Sequence, residues 1–162
     1  PEEIGAGLTA TVVSRRRNPM VALSPQLKTN NLLNPRLAAL EARKAGFDEA
    51  LLLNPQDNFT EGTNCNVFFL KGPDLVVTPS LDSGLLAGIT RQLLIDLARQ
   101  NGLRVEERSV PHEELPHFQE AFLSSTTRTV SPLSRVDNWP MQVCGPLTRR
   151  LMELFIAEYG EL

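Results

Sequence analysis

Four polar segments of this 162-residue chain combine residue types that can hold a ligand or react with it. The first, residues 27–34, places Lys28 between an extended stretch and a helix start. In a partly desolvated site a lysine is favoured as the neutral amine, which can form a Schiff base with a carbonyl group. Outside such a site, a lysine in a polar segment is an ordinary surface residue, and the segment alone leaves both interpretations open.

The second and third segments add a carboxylate and a helix start. Residues 60–67 place Glu61 among small and hydrogen-bonding residues in a bend before a strongly apolar stretch, which suits either a carboxylate beside a ligand cation or a polar turn. Residues 84–91 lead from a glycine-containing loop directly into a helix. The N–H groups at a helix start bind phosphate, helped here by the Thr90 hydroxyl. The loop lacks the Gly-Lys-Ser/Thr ending of a Walker A motif.

The fourth segment, residues 124–127, contains four consecutive hydroxyl residues after a predicted strand. These hydroxyls could complete a phosphate-binding cup, and a plain polar loop fits the segment equally well. Together the four segments offer an amine, a carboxylate, a helix N-terminus and a hydroxyl cluster. Pyridoxal 5'-phosphate needs these groups: a Schiff-base lysine, a partner for the pyridine nitrogen and a phosphate site.

The elements that must position these segments are short. The sequence predicts three helices, which follow Asn34-Pro35, Gly88 and Gly145-Pro146, and a short helical turn at residues 112–117. The predicted strands are residues 8–13, 20–23, 49–53, 67–70, 75–77, 103–110, 121–124 and 130–136. Because strands and helices do not alternate regularly, the pattern favours an α+β fold with a curved, barrel-like sheet and packed helices over a doubly wound sheet.

The overall composition is that of an ordinary globular domain. Hydrophobic residues make up 41% of the chain and charged residues 22%, which is enough apolar material for a core. The net charge of −3 gives no general attraction to nucleic acid or to an anionic membrane. No apolar run approaches the ~18 residues that a membrane span requires.

The remaining reactive side chains have simpler interpretations. Cys65 and Cys144 are too few and too far apart for a disulfide framework or a zinc site, which predicts a reducing, cytoplasmic setting. His112 and His117 lack neighbouring ligands, so we expect no metal. Cys65 is interpreted as a small buried residue rather than a nucleophile. The arginines at residues 15–17 are interpreted as a solvated strand end rather than a phosphate-binding patch.

In order and spacing, the four segments resemble the class IV aminotransferases, pyridoxal-phosphate enzymes of fold type IV. That family includes branched-chain aminotransferases, D-amino-acid transaminases and aminodeoxychorismate lyases. The resemblance extends from about Lys28 to about Asp137, and its matching stretches are residues 45–51, 60–68, 78–79, 88–91, 102 and 122–132. Leu32 stands where many members have a tyrosine, and this departure favours the D-amino-acid-transaminase branch.

The resemblance implies roles for individual residues. Lys28 matches the lysine that forms the Schiff base and then serves as the general base, and Glu61 matches the acid that pairs with the pyridine nitrogen. The full set of matched cofactor-binding positions is Lys28, Glu61, Asn66, Leu86, Ile89, Thr90 and Thr126. Within this set, Leu86 would pack on the ring, Asn66 would line the site, and the last three residues would contact the phosphate.

The resemblance also implies an activity and a domain arrangement. The expected activity is amino-group transfer between an amino acid and a 2-oxo acid, in a homodimer. An aminodeoxychorismate lyase on the same scaffold and an inactive fragment that acts as a binding domain remain alternatives. Family members carry a smaller N-terminal domain that selects the substrate. Residues 1–9 would be its connecting end, and residues 10–162 would form the large cofactor-binding domain.

Overall fold

The architecture is dominated by one curled sheet of eight strands, with three helices packed against it. A computed structural model of the chain describes residues 5–160. The strands are β1 (Leu8–Arg16), β2 (Glu49–Leu53), β3 (Asn66–Lys71), β4 (Leu75–Pro79), β5 (Arg104–Arg108), β6 (Glu120–Ser125), β7 (Thr129–Val136) and β8 (Trp139–Pro140). The helices are α1 (Leu33–Lys44), α2 (Ile89–Gln100) and α3 (Pro146–Tyr159), with short 3-10 segments at Leu81–Ser83 and His112–His117.

The sheet is mixed, with the strand order β2-β1-β7-β6-β3-β4-β5 and β8 beside β7. Strand β1 runs parallel to both of its neighbours, β2 and β7. The central strands β7, β6, β3 and β4 are antiparallel, and β5 lies parallel to β4 at the edge. This arrangement confirms the predicted α+β fold with a curved sheet.

Both faces of the central strands are buried, which explains their continuous apolar sequences. Side chains alternate along β3, so that Val67 and Phe69 pack in one apolar cluster with Phe59, while Phe68 and Leu70 face the helices on the other side of the sheet. Phe68 stacks on Phe122 across the β3–β6 pair, with ring centroids 4.8 Å apart. The sheet is therefore packed between two apolar layers, which make it a rigid support for the polar loops at its edge.

Each helix covers a different part of this sheet. Helix α1 packs its alanines Ala38 and Ala42 against β1 and β2, while α2 and α3 cover the face that carries Phe122. The buried Glu120 holds the start of α3, since its carboxylate accepts hydrogen bonds from the N–H groups of Leu147 and Thr148 at 3.2 and 2.8 Å. Within residues 5–160, no helix is both long and apolar enough to cross a bilayer.

The predicted strand at residues 20–23 is wrong. The N–H groups of Ala22 and Leu23 both bond to the Pro19 carbonyl, at 3.0 and 3.1 Å, and so form a turn instead of a strand edge. Prolines at positions 19 and 25 bracket this stretch and cannot donate to a ladder. The whole connection from residue 17 to residue 32 has no helix or strand, and α1 begins at Leu33, directly before the predicted Asn34 cap.

The predicted division at residue 9 stays a prediction. Residues 1–4 of the expected connecting segment lie outside the described part of the chain. Leu8 and Thr9 are the first residues of β1 and pair with β7.

Candidate functional site

All seven predicted site residues line one cleft of about 640 Å³. Its walls come from residues 23–32, from residues 61–66 before β3, from residues 86–90 at the start of α2, and from residues 124–126 after β6. Strands β3 and β6 are antiparallel, with Asn66 paired to Ser124, so the start of one strand meets the end of the other at the same sheet edge. The fold thereby brings together segments that are far apart in sequence.

Glu61 is a buried carboxylate whose two oxygens are both held by the protein. Arg17 donates from Nε to Oε1 at 2.7 Å, and the Leu86 N–H donates to Oε2 at 3.0 Å. Burial raises the pKa of Glu61, while the Arg17 guanidinium and the Leu86 amide favour the charged form and oppose that rise. Arg17 is therefore the charged group that opposes the effect of burial on the pKa of Glu61.

Asn66 connects Glu61 to the loop that precedes α2. Its Nδ2 donates to the Leu86 carbonyl at 3.0 Å and lies 3.5 Å from Oε2 of Glu61. A Cβ atom at Gly88 would collide with Oδ1 of this asparagine, although the backbone angles there suit any residue. A side chain at position 88 would therefore require Asn66 to move.

The start of α2 lies on the cleft and is firmly anchored from behind. No side chain in residues 5–160 caps this helix, so its first-turn N–H groups remain available to a ligand. Thr90 is buried, while Ile89 is 76% exposed at the cleft mouth. Directly after them, the fully buried Arg91 donates from Nη2 to the Pro79 carbonyl and to Glu107, both at 2.9 Å.

The other predicted residues are more open. Lys28 and Thr126 are exposed, and Leu86 is half-buried. A Schiff-base lysine needs a partly desolvated site, and the described residues do not provide one at Lys28. The cleft thus combines a buried carboxylate and a helix start on its rigid side with an amine on its open side.

Arg17 was missed by the sequence interpretation, which placed it in a solvated strand end. Arg16 fits that interpretation, because its side chain is 41% exposed and pairs with Asp57 on the surface. The Arg17 side chain is only 15% exposed and pairs with Glu61. Consecutive residues of an extended chain point in opposite directions, and this alternation could have separated the two arginines.

Glu49 was missed as well. This buried carboxylate accepts the Thr63 hydroxyl at 2.6 Å and the Thr63 N–H at 3.2 Å, and Arg128 lies 3.6 Å away. It thereby connects the Glu61 loop to the turn after β6. Burial and the charge of Glu49 raise the pKa of the Cys65 thiol, which keeps it protonated and unreactive, as expected for a small buried residue.

Comparison with known proteins identifies a family over most of the chain. The sequence profile described as amino-transferase class IV matches residues 1–136. The branched-chain-amino-acid aminotransferase of Escherichia coli (strain K12) is 33% identical over 161 residues, which cover 96% of this chain and 51% of that protein. The match to the family profile begins at residue 1, before Lys28, where the predicted resemblance started. It ends at residue 136, beside Asp137, as predicted.

Solved structures match the fold equally well. The branched-chain aminotransferase from Thermobaculum terrenum, in its PLP form, has a TM-score of 0.90 and 38% identity over 95% of this chain and 52% of its own. The branched-chain aminotransferase from Thermoproteus uzoniensis with norvaline has a TM-score of 0.88 and 35% sequence identity, and the match covers 96% of this chain and 52% of that one. The chain spans about half the length of the relatives it matches. All three are named for branched-chain amino acids, so they lend no support to the predicted D-amino-acid branch.

Replacing Arg17 with methionine should make the stability of the protein depend more strongly on pH. Without the guanidinium, burial raises the pKa of Glu61 further. A carboxyl group whose pKa is higher in the folded state than in the unfolded state contributes its full stability below the pKa of the unfolded state. That contribution is lost as the pH rises through the pKa of the folded state. Relative to the parent, Arg17→Met should therefore lose on the order of 3 kcal/mol near neutral pH and little near pH 4, measured by urea unfolding.

Two further variants isolate that effect. Arg16→Met removes the neighbouring exposed arginine and should change stability little at any pH. Combining Arg17→Met with Glu61→Gln should abolish the added pH dependence. Equal destabilisation of Arg17→Met at acid and neutral pH would show that Arg17 acts through packing alone.

Replacing Gly88 with alanine should displace Asn66 and loosen its contacts with Leu86 and Glu61. We expect a loss of about 1–3 kcal/mol in unfolding free energy, because the added methyl group has no room. The loss should shrink when Asn66 is also replaced by alanine, which a double-mutant cycle measures. Gly5→Ala, in open space, is the control. An additive cycle would contradict the proposed steric contact.

Proposed function

The chain belongs to the class IV aminotransferases, and we propose that it is the cofactor-binding part of an amino-acid transaminase that uses pyridoxal 5'-phosphate. The observation that carries this proposal is the cleft itself, where an amine, a buried carboxylate and an anchored helix start lie together. The proposed reaction moves an amino group between an amino acid and a 2-oxo acid. The relatives are named as aminotransferases, which favours this activity over the lyase and the inactive fragment.

The residues present suit this cofactor. A cleft of about 640 Å³ lies within the range of about 300–1,000 Å³ that small-molecule sites occupy. A carboxylate has about four acceptor positions, and Arg17 and the Leu86 amide use only part of them, which leaves Glu61 able to accept from a pyridinium N–H. When bound, pyridoxal phosphate accepts the negative charge that develops at the α-carbon of the substrate.

Each predicted residue then has a task in holding the cofactor. Lys28 would carry it through its amine, and Leu86 would pack on the ring. Asn66 would fix the positions of Leu86 and Glu61 relative to each other through the hydrogen bonds of its Nδ2. Ile89, Thr90 and Thr126 would bind the phosphate, where the α2 dipole and its first N–H groups favour a dianion.

Two side chains would handle protons and charge. Once released, the neutral amine of Lys28 would serve as the general base that takes the proton from the substrate α-carbon and delivers it to the C4′ carbon of the cofactor. Glu61, ionised, would hold a proton on the pyridine nitrogen, because a neighbouring negative charge favours a cation. Arg17 supports this task, because its positive charge lowers the pKa of Glu61 and so opposes the rise that burial causes.

The substrate would be selected by groups outside the cleft described above. The division into a connecting end at residues 1–9 and a large domain at residues 10–162 is part of this proposal. It agrees with the exposure of Lys28, since further protein over the cleft would desolvate the amine. The expected substrates are an amino acid and a 2-oxo acid, in a cytoplasmic enzyme without nucleic-acid or membrane partners.

A second copy of the protein is the proposed partner. Large apolar residues are exposed in and next to the segments that line the cleft. Ile89 is 76% exposed, and Val21 and Leu33, on either side of the lining residues 23–32, are 99% and 66% exposed. A contiguous surface of such side chains would mark an interaction surface. A homodimer that buries them would also bring the site close to the interface.

Borohydride reduction of the full-length protein with its cofactor should attach the label to Lys28. The chain contains three lysines, Lys28, Lys44 and Lys71, and peptide mapping distinguishes them. Lys28→Ala should abolish both label and turnover, while Lys44→Ala should preserve both. Label on another lysine, or none on the parent, would refute the assignment. Turnover should require an added oxo acid, whereas product formation without one would indicate the lyase.

Replacing Val21 or Leu33 with aspartate should shift the full-length protein from dimer to monomer, measured by light scattering. A charge placed in a buried apolar interface is strongly unfavourable. Ile156→Asp, on the outer helix α3 and 40% exposed, should leave the dimer intact. A parent protein that is monomeric at micromolar concentration would contradict the proposed partner.

A further inference from the structure

Ser124 carries a buried hydroxyl group that the protein leaves unpaired. The residue ends the buried part of β6 and is 1% exposed. Its Oγ has no hydrogen-bond partner among residues 5–160. Buried hydroxyls in folded proteins are nearly always paired, because an unpaired one has lost its hydration without replacement. An unpaired hydroxyl that lines a cleft therefore indicates a ligand contact.

The position of Ser124 specifies which part of the ligand it meets. It lies opposite Asn66 in the β3–β6 register and lines the cleft. Counting two residues back along β6 gives Phe122, which packs in the apolar layer beneath α2 and α3. Ser124 thus lies on the face of the sheet that α2 covers, and the first turn of α2 is the proposed phosphate site.

The other hydroxyls in this part of the molecule differ from it. Ser125 lies 3.4 Å from the Thr127 hydroxyl, and Thr126 is exposed. Thr148 has a buried hydroxyl without a partner in the described chain, but it lies on α3 and does not line the cleft. Of these five hydroxyl residues, only Ser124 combines burial, the lack of a partner in the described chain and a place in the cleft wall.

We propose that Ser124 is a further phosphate-binding residue, whose hydroxyl donates a hydrogen bond to the phosphate monoester of the cofactor. A phosphate offers only acceptors, and the hydroxyl is a donor whose hydrogen can rotate towards it. Hydrogen bonds to an anionic acceptor are about twice as strong as neutral ones. This inference rests on the proposed function, because the phosphate belongs to pyridoxal 5'-phosphate.

The test is Ser124→Ala in the full-length protein. The variant should keep or gain stability without the cofactor but should bind the cofactor more weakly. Without cofactor, thermal unfolding should show equal or higher stability, because the variant removes an unpaired buried group. Affinity for pyridoxal 5'-phosphate, measured by equilibrium titration, should fall about tenfold or more. Affinity for pyridoxal, which lacks the phosphate, should be unchanged. Thr148→Val removes an equivalent hydroxyl outside the cleft and should leave both affinities as in the parent.

Each other outcome overturns the proposal. Equal weakening for pyridoxal and its phosphate would place the Ser124 contact on the ring. Lower stability of the cofactor-free variant with unchanged affinity would assign the hydroxyl a purely structural hydrogen bond. A parent that binds pyridoxal phosphate beside a variant of equal affinity refutes this inference alone. A parent that binds neither compound refutes the proposed function as well.

Discussion

The site is organised by a single constraint, which is that the buried carboxylate of Glu61 must be paired. An isolated charge in the protein interior is strongly unfavourable, so its oxygens require donors with good geometry. Arg17 and the Leu86 amide supply them. These two donors lie just past the end of β1 and in the loop before α2, while Glu61 itself precedes β3. Pairing the Glu61 carboxylate thereby fixes three segments that line the cleft relative to each other.

The same device recurs in two other places. Glu49 accepts the N–H group of Thr63, and Glu120 accepts those of the first turn of α3. In each case a buried glutamate takes up backbone donors that a loop or a helix start would otherwise leave unpaired. The apolar core holds the sheet in place. The carboxylates attach irregular polar segments to that sheet through hydrogen bonds, because these segments have too few apolar side chains to be ordered by burial alone.

Local chemistry explains what the sequence could predict. Gly46 adopts a left-handed conformation after α1, and Gly145-Pro146 begins α3, so helix bounds followed from residues with strong backbone preferences. The seven residues that line the cleft were named from motif order. The roles of Arg17 and Glu49 were missed because they depend on partners brought in by the fold, and Ser124 could not be distinguished from the three hydroxyl residues that follow it. The false strand at residues 20–23 arose from apolar composition, which did not account for the flanking prolines.

The topology of β1 has a consequence for how the protein folds. This strand lies between β2 and β7, and its parallel pairing with β7 joins Leu8 to Leu133, which are 133 − 8 = 125 residues apart in sequence. Contacts of such long sequence separation close large loops, whose entropy cost slows folding. Arg17 follows β1 directly, so its ion pair with Glu61 requires β1 to be in place. A ligand that binds only the completed cleft would favour the state in which β1 is docked, by mass action.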